Sequence, residues 1–238
     1  MSILSLAPGD RFFASGVATL QHAGVKLHLG TDFDEYRERL AIGRPGYVIG
    51  DPFRPELHKL NKTNSFWIIG TEQDGTIMHT QAMRMLPLRN QSLSEYMRRG
   101  FRKFPPPTLD IDLAASRFRD GPGSRKMFGR VCYHGEYWIG GSDGQYRGEG
   151  WSTLLGRMAF LLAMRTWDPD YVFGFMAKQV AHKGFMARHG YMHCEPGALR
   201  WQGRNKPDAI EGGMAYFERR TPNWSVPVGE HWPQWAEE

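Results

Sequence analysis

The sequence predicts an α/β domain, and three segments in chain order predict it. Residues 65–85 contain two runs rich in β-branched and aromatic residues, joined by Asp74–Gly75, a strong two-residue hairpin turn. Residues 136–167 run from a strand through a glycine-rich loop into an amphipathic helix. Residues 171–176 (YVFGFM) form a short apolar run, which is typical of a buried parallel strand.

Length and composition exclude several classes. The chain has 238 residues, 41% hydrophobic and 23% charged, as in soluble globular proteins. A chain this long buries about 70% of its extended surface and needs no disulfide or metal to fold. We expect Cys132 and Cys194 to be free thiols. No apolar stretch reaches the roughly 20 residues of a membrane span, and no secretory signal is present, so the expected location is cytoplasmic.

The remaining elements follow from caps, periodicity and turn residues. A helix is expected over about 32–41, and Ser92 with Glu95 forms a capping box before a helix that runs to about Phe104. Three prolines end that helix, and residues 108–128 are expected to be loop. The other expected elements are strands at 25–29, 130–134, 136–141, 191–201 and 213–219, and helices at 150–167 and 178–189.

The loop before the helix at 150–167 is the most informative segment. Gln145-Tyr146-Arg147-Gly148-Glu149-Gly150 joins the end of a strand to a helix N-terminus. Such a turn directs backbone N–H groups and the positive end of the helix dipole at one point, which suits a phosphate or pyrophosphate. An ordinary strand-to-helix turn is an equally good interpretation of these six residues alone.

A resemblance extends this interpretation. Gln145-x-x-Gly148-x-Gly150 resembles the Q/R-x-x-G-x-G/A loop of the GNAT superfamily of N-acyltransferases, and residues 185–191 (FMARHGY) resemble its closing segment. The resemblance covers roughly residues 60–220. It implies a mixed, partly splayed sheet flanked by helices, and acyl-CoA, most often acetyl-CoA, as co-substrate. It places the pantetheine and pyrophosphate on Ile139, Gly140, Gly141, Ser142, Gln145, Tyr146, Arg147, Gly148, Glu149, Gly150 and Trp151.

The implied reaction is attack of a primary amine on a thioester, which needs a base and a stabilised oxyanion. Glu136 is the first candidate for the base and His134 the second, since residues two apart on a strand share a face. The alternative interpretation of Glu136 is a structural carboxylate of the strand, either at the surface or held by hydrogen bonds. The family often has a tyrosine as general acid where this chain has Met186, so another donor or water must act, or catalysis is weakened; Tyr146 and Tyr191 are the candidate substitutes.

One segment carries most of the positive charge. Residues 84–130 hold eleven basic and four acidic residues, whereas the whole chain has a net charge of +5. A solvated basic face is the usual outcome for such a segment; docking of CoA or of an acidic acyl carrier protein is the next interpretation. Residues 84–87 (RMLP) and 116–118 (SRF) resemble elements of acyl-homoserine-lactone synthases, which take acyl chains from that carrier.

The chain is therefore divided into residues 1–60, an N-terminal extension packed on the core; 61–220, an acyltransferase-like domain with a basic helical insertion at 86–130; and 221–238, a Trp- and Pro-rich tail. A homodimer is possible. No metal site is expected, because Gly190 breaks the spacing of His189 and His193. The alternatives are an autoinducer-synthase-type enzyme, a non-catalytic acyl-CoA-binding module and, less favoured, a nucleic-acid-binding protein. The acceptor amine is not predicted.

Overall fold

The structure is a computed structural model that describes residues 8–219 apart from 104, 108, 142–145, 147–149 and 205–208. It contains seven α-helices in the described residues: α1 (Pro8–His22), α2 (Phe33–Gly43), α3 (Leu93–Gly100), α4 (Pro122–Lys126), α5 (Trp151–Trp167), α6 (Lys178–His182) and α7 (Phe185–His189). The eight described strands are β1 (Lys26–Gly30), β2 (Ser65–Thr71), β3 (Ile77–Leu88), β4 (Ile111–Phe118), β5 (Gly129–Ile139), β6 (Tyr171–Ala177), β7 (His193–Gly203) and β8 (Ala209–Glu218).

The strands form one mixed sheet in the order β1-β2-β3-β5-β6-β8-β7-β4. Among the described pairs, β5 and β6 are parallel and the others are antiparallel. Helix α5 supplies the crossover between β5 and β6, as a parallel pair requires. The predicted mixed sheet flanked by helices is confirmed.

Alternation along β2 shows how the sheet is covered on both faces. Phe66 and Ile68 pack in a cluster with Phe160 of α5, whereas Trp67 and Ile69 pack with Tyr36 of α2. Because successive side chains of a strand point to opposite faces, α2 and α5 lie on opposite sides of the sheet.

The structure differs from the expected elements at residues 108–128 and at residues 178–189. Residues 111–118 form β4, although residues 108–128 were expected to be loop; β4 pairs with β7 at its two ends, with a register shift between Asp112 and Arg117, so it lacks a regular strand pattern. The single helix expected at 178–189 is two short helices, because Gly184 has a φ of 72° and ends the first of them.

The two predicted additions to the core both contribute edge strands. β1 from residues 1–60 forms one edge of the sheet, and β4 from residues 86–130 forms the other. The capping box of Ser92 and Glu95 is confirmed at the start of α3. The division of the chain at residues 60 and 220 stays a prediction, and the tail at 220–238 lies outside the described residues.

Candidate active site

The sheet opens between its two parallel strands. β5 pairs with β6 over only three positions, ending at Tyr133 opposite Phe173. Beyond that point β5 continues beside β3 to Ile139, while β6 continues beside β8 to Ala177. The facing edges of β5 and β6 therefore carry main-chain N–H and C=O groups without a ladder partner. Such edges can bind an extended ligand that contains amide groups.

A bulge in β5 starts this opening. The register between β3 and β5 shifts near Gly135, and Glu136 has a φ of 58°. A positive φ is strained for a residue with a side chain, and such residues concentrate at functional sites. The bulge also separates the two candidate bases: the Glu136 carboxylate bonds Tyr47 and Gly50 on the α2 side, whereas the ring of His134 contacts Phe160 of α5. The expectation that His134 and Glu136 share a face is wrong, because the bulge breaks the alternation.

The Glu136 carboxylate is held from both of its oxygens. The Tyr47 hydroxyl donates to Oε2 at 2.7 Å, and the Gly50 N–H donates to Oε1 at 3.0 Å. The main-chain carbonyl of Glu136 accepts a hydrogen bond from the Thr80 hydroxyl at 2.8 Å. These contacts fix both the side chain and the bulge, so Glu136 is not a mobile surface carboxylate.

Burial and hydrogen bonding act in opposite directions on this group. Burial raises the pKa of Glu136 to about 7, while Tyr47, the Gly50 amide and the charge of Arg44 act to lower it. A carboxylate with a pKa near the working pH is suited to accept a proton reversibly. Arg44 stays close because its guanidinium stacks 4.0 Å from the ring centroids of both Tyr47 and Trp138.

Sequence reasoning missed Arg44, Tyr47 and Gly50. All three follow α2 in a segment whose prolines and glycines indicate only irregular structure. The sequence offered one sign of a functional role, a tyrosine and an arginine in a loop. Binding and catalytic side chains are often found on loops that a rigid scaffold holds in place.

His134 belongs to a buried hydrogen-bond chain. Its Nδ1 lies 2.9 Å from the Tyr191 hydroxyl, and its Nε2 lies 3.1 Å from Gln81 Oε1. The Gln81 amide nitrogen donates to the Leu155 carbonyl at 2.8 Å, which leaves its oxygen facing His134. His134 therefore carries its proton on Nε2, and Nδ1 accepts from Tyr191. Burial lowers the pKa of His134 to about 3, so the ring is neutral.

The Tyr191 hydroxyl lies under the opening between the strands. A Cβ added at Gly174 of β6 would lie 2.6 Å from that hydroxyl oxygen, so the approach requires glycine at this position. Burial raises the pKa of Tyr191 well above its ordinary value. The phenol therefore keeps its proton and can donate a hydrogen bond at all working pH values.

These features line one cleft with a volume of about 880 Å³. Its wall includes Glu136, Tyr191, Ile139 and, at the start of α5, Gly150 and Ser152. The volume suits a large small-molecule ligand, since such sites are commonly ~300–1,000 Å³. One end of the cleft thus meets a helix N-terminus, which favours anions, and another meets a carboxylate and a phenol.

Part of the predicted pyrophosphate loop lies outside the described residues: Ser142, Gln145, Arg147, Gly148 and Glu149. Of the others, Tyr146 is buried and packs edge-on against Trp151, with ring centroids 5.5 Å apart. The Gly140 N–H donates to the Met78 carbonyl at 2.8 Å, so this amide is used by the sheet and not by a ligand. Gly141 contacts Tyr146.

Other candidate groups are placed in structural roles. His189 is buried, with Nδ1 donating to the Phe185 carbonyl at 3.2 Å, and His193 stacks on Tyr216. Within the described ranges no group of three His, Cys, Asp or Glu side chains has a geometry that could hold a metal. No helix in the described part of the chain is long and apolar enough to cross a membrane. Cys132 and Cys194 are both free thiols, as expected.

Many basic side chains of residues 84–130 make ion pairs or hydrogen bonds within the chain. Arg98 and Arg125 both bind Asp120, at 2.6 and 2.7 Å, and hold the pKa of that carboxyl well below its usual range. Arg119 donates to the Pro196 carbonyl at 2.6 Å. Internal contacts also engage Arg102, Arg117, Lys126 and Arg130. The segment therefore presents a smaller free cationic surface than its composition indicates.

Comparison with known proteins gives a result at the level of structure alone. No protein-family model matches the sequence, and no curated protein matches it. Among solved structures, NAA60 from Arabidopsis thaliana in complex with acetyl-CoA is 9% identical, with 82% of this chain and 98% of that chain covered and a TM-score of 0.47. An acetyltransferase of the GNAT family from Streptococcus pneumoniae is 10% identical, with coverages of 81% and 99% and a TM-score of 0.43.

A third structure is aminoglycoside acetyltransferase AAC(6')-Ib in complex with coenzyme A and kanamycin, at 12% identity, coverages of 82% and 95%, and a TM-score of 0.41. All three TM-scores lie below 0.5, and the functional assignment rests on the geometry of the site.

Proposed function

We propose that the protein is an N-acyltransferase that moves an acyl group, most simply acetyl, from acyl-CoA to a primary amine. The observation that supports this proposal most is one cleft, which runs from the N-terminus of α5 to Glu136 along the open edges of β5 and β6. In this assignment the anionic end of coenzyme A lies at α5, and its amide-containing arm lies between the strands. The thioester then lies beside Glu136 and Tyr191.

The proposed reaction begins with an ammonium acceptor. Glu136 removes one proton, and the nitrogen lone pair forms a bond to the thioester carbon. The carbon–sulfur bond then breaks, and the second proton passes from the nitrogen to solvent. The Tyr191 O–H turns from His134 Nδ1 to the departing sulfur and gives it a proton, and solvent returns a proton to Tyr191. The products are the N-acyl amine, the CoA thiol and one proton. Unpaired N–H groups on β5 supply the donors that an oxyanion needs.

His134 has a different role from the one first considered. Both of its ring nitrogens are engaged, by Tyr191 and Gln81, and its neutral ring lies on the α5 side of the sheet. We assign it as a positioning residue that holds the Tyr191 hydroxyl. The acidic acyl carrier protein and the homodimer stay predictions.

The donor site is tested by native mass spectrometry and calorimetry with acetyl-CoA, decanoyl-CoA and decanoyl acyl carrier protein. We expect one acyl-CoA per chain, bound more tightly than adenosine alone, because the pantetheine arm adds contacts between the strands. Absence of binding by every CoA species would contradict the proposal, and binding of the carrier-linked donor alone would replace CoA as the donor.

The acid limb of the pH profile tests the assignment of the base. Because Glu136 must be ionised and its pKa is about 7, kcat/KM should rise with pH through about 7. Tyr47→Phe removes a hydrogen bond to the carboxylate, which raises the pKa and should move the limb up by about one pH unit. Tyr171→Phe, whose hydroxyl contacts Glu218 outside the cleft, is the control. An unmoved limb in Tyr47→Phe would assign it to another group.

A further inference from the structure

A second cavity adjoins Glu136 on the α2 side of the sheet. It has a volume of about 220 Å³ and is lined mainly by aromatic and aliphatic side chains, among them Phe53, Met97, Phe173 and Trp201. Glu136 lines both this cavity and the larger cleft. The cavity is smaller than the ~300–1,000 Å³ of sites for drug-sized ligands, which favours a small molecule over a polymer.

The inner wall of this cavity holds a buried cation, Arg84, whose exposed fraction is 8%. Its guanidinium donates to the Pro52 carbonyl at 2.6 Å and lies 3.1 Å from His58 Nδ1. Burial lowers the pKa of His58 to about 4, so that partner is a neutral acceptor. In the described part of the chain, no carboxylate lies within the 4 Å of an ion pair with Arg84.

A buried arginine without a counter-ion is costly unless something compensates its charge. The other acidic side chain at this cavity, Asp51, is ion-paired with Arg54 at 3.1 Å. Arginine has five N–H donors in a fork that matches a carboxylate, and two of its nitrogens are occupied here by neutral acceptors. Arg84 also lines the cavity, and the natural ligand for its remaining donors is an anion.

The two charged groups line the same cavity as one aromatic ring, that of Tyr133. Tyr133 is paired with Arg84 across β3 and β5, its ring stacks on Phe53 at 5.6 Å, and it lies at the start of the bulge that carries Glu136. Burial raises the pKa of the Tyr133 phenol most; the charge of Glu136 adds to this rise, and the charge of Arg84 opposes it. A single small molecule in this cavity can therefore contact both a base and a cation.

We infer that this cavity is the acceptor site and that the acceptor is an amine bearing a carboxylate and a small apolar or aromatic body, as in an amino acid. The amine lies at Glu136, the carboxylate binds Arg84, and the body packs against Phe53 and Tyr133. This inference rests on the proposed function for the reaction, but the ligand class follows from the cavity itself. An alkyl chain of an acyl donor fits less well, because it would leave the guanidinium desolvated and unpaired.

The test uses binding of probes that cannot react, so that it does not depend on turnover. 3-Phenylpropionate and its amide, 3-phenylpropionamide, differ in the carboxylate alone. We expect calorimetry or ligand-observed NMR to show the acid binding the wild-type protein about 10- to 100-fold more tightly than the amide, the range of a charge-assisted hydrogen-bond pair. Equal binding of the two probes would overturn the inference.

Substitutions at Arg84 test whether this side chain causes the preference for the acid. Arg84→Gln should remove the preference for the acid, and Arg84→Lys should retain part of it. Arg99→Gln, an exposed arginine of α3, is the matched control and should leave it unchanged. If Arg84→Gln fails to fold, the wild-type comparison of acid and amide still decides. Displacement of 3-phenylpropionate by decanoyl-CoA but not by acetyl-CoA would assign the cavity to the acyl chain and overturn the inference.

Turnover separates this inference from the proposed function. With acetyl-CoA as donor, phenylalanine should give a kcat/KM at least tenfold above that of phenethylamine, which lacks the carboxylate. Preference for phenethylamine would overturn the inference while leaving the acyltransferase intact. Selective binding of the acid probe without any thiol release would retain the anion site and contradict the acyltransferase.

Discussion

Glu136→Gln is expected to lower kcat by about 10²- to 10⁴-fold while changing the KM for acyl-CoA little. The amide is nearly isosteric and keeps contacts to Tyr47 and the Gly50 N–H, but it cannot accept a proton from the ammonium. Steady-state thiol release with a saturating amine measures this effect. An unchanged turnover number would remove Glu136 from the mechanism.

Two controls test whether the loss of activity comes from the missing base. Glu38→Gln changes an exposed glutamate of α2 and should leave kcat unchanged. Raising the pH should not restore Glu136→Gln, whereas wild-type activity rises through the pKa of about 7. Recovery of the variant at high pH would indicate that the free amine, and not proton removal by the protein, limits the reaction.

Tyr191→Phe is expected to lower kcat about 10- to 100-fold, with the loss depending on the leaving thiol. The substitution removes the proton donor under the opening and leaves His134 Nδ1 without its 2.9 Å partner. If Tyr191 protonates the departing sulfur, a thiol of low pKa needs it less. The variant should therefore be less impaired with S-phenyl thioacetate than with S-ethyl thioacetate as truncated donors.

The comparison of the two donors separates catalysis from structure. A purely structural role for the Tyr191–His134 hydrogen bond would reduce the rates of both donors equally, and that outcome would contradict the assignment. Tyr171→Phe, which changes a tyrosine at the far end of β6, is again the control and should leave the ratio of the two rates unchanged.

The parts of the fold that follow from local sequence were predictable. The periodicity of α5, the cap of α3 and the apolar run of β6 each depend on neighbouring residues, and each element forms where its pattern indicates. β4 was not predictable, because it pairs with β7 only at its ends, and its middle carries no alternation. Helix α1 was missed as well, in a region whose pattern was weak.

The candidate site also has a part that the sequence predicts and a part that it does not. Glu136 was predicted from its place on a strand before the glycine-rich loop, and Tyr191 as a substitute for the tyrosine that the resembling family has at Met186, but the contacts that give both residues their chemistry are tertiary. The bulge that separates Glu136 from His134 arises from a register shift between β3 and β5, and one sequence does not encode such a shift in any local pattern. Tyr47 reaches Glu136 across 89 positions of the chain. Similarly, the sequence does not indicate that Arg84 is buried, and a buried arginine without a carboxylate partner is recognised only in the structure.

The most direct test follows the acyl group itself. Incubation with acetyl-CoA labelled with ¹³C in the acetyl carbonyl, together with a panel of amines with and without a carboxylate, is analysed by mass spectrometry for labelled amide and by thiol titration for free CoA. The account predicts labelled N-acetyl amine and CoA thiol in equal amounts, and loss of both in Glu136→Gln. Tight binding of acetyl-CoA with no labelled amide from any amine would contradict it, and would make the protein a binding module.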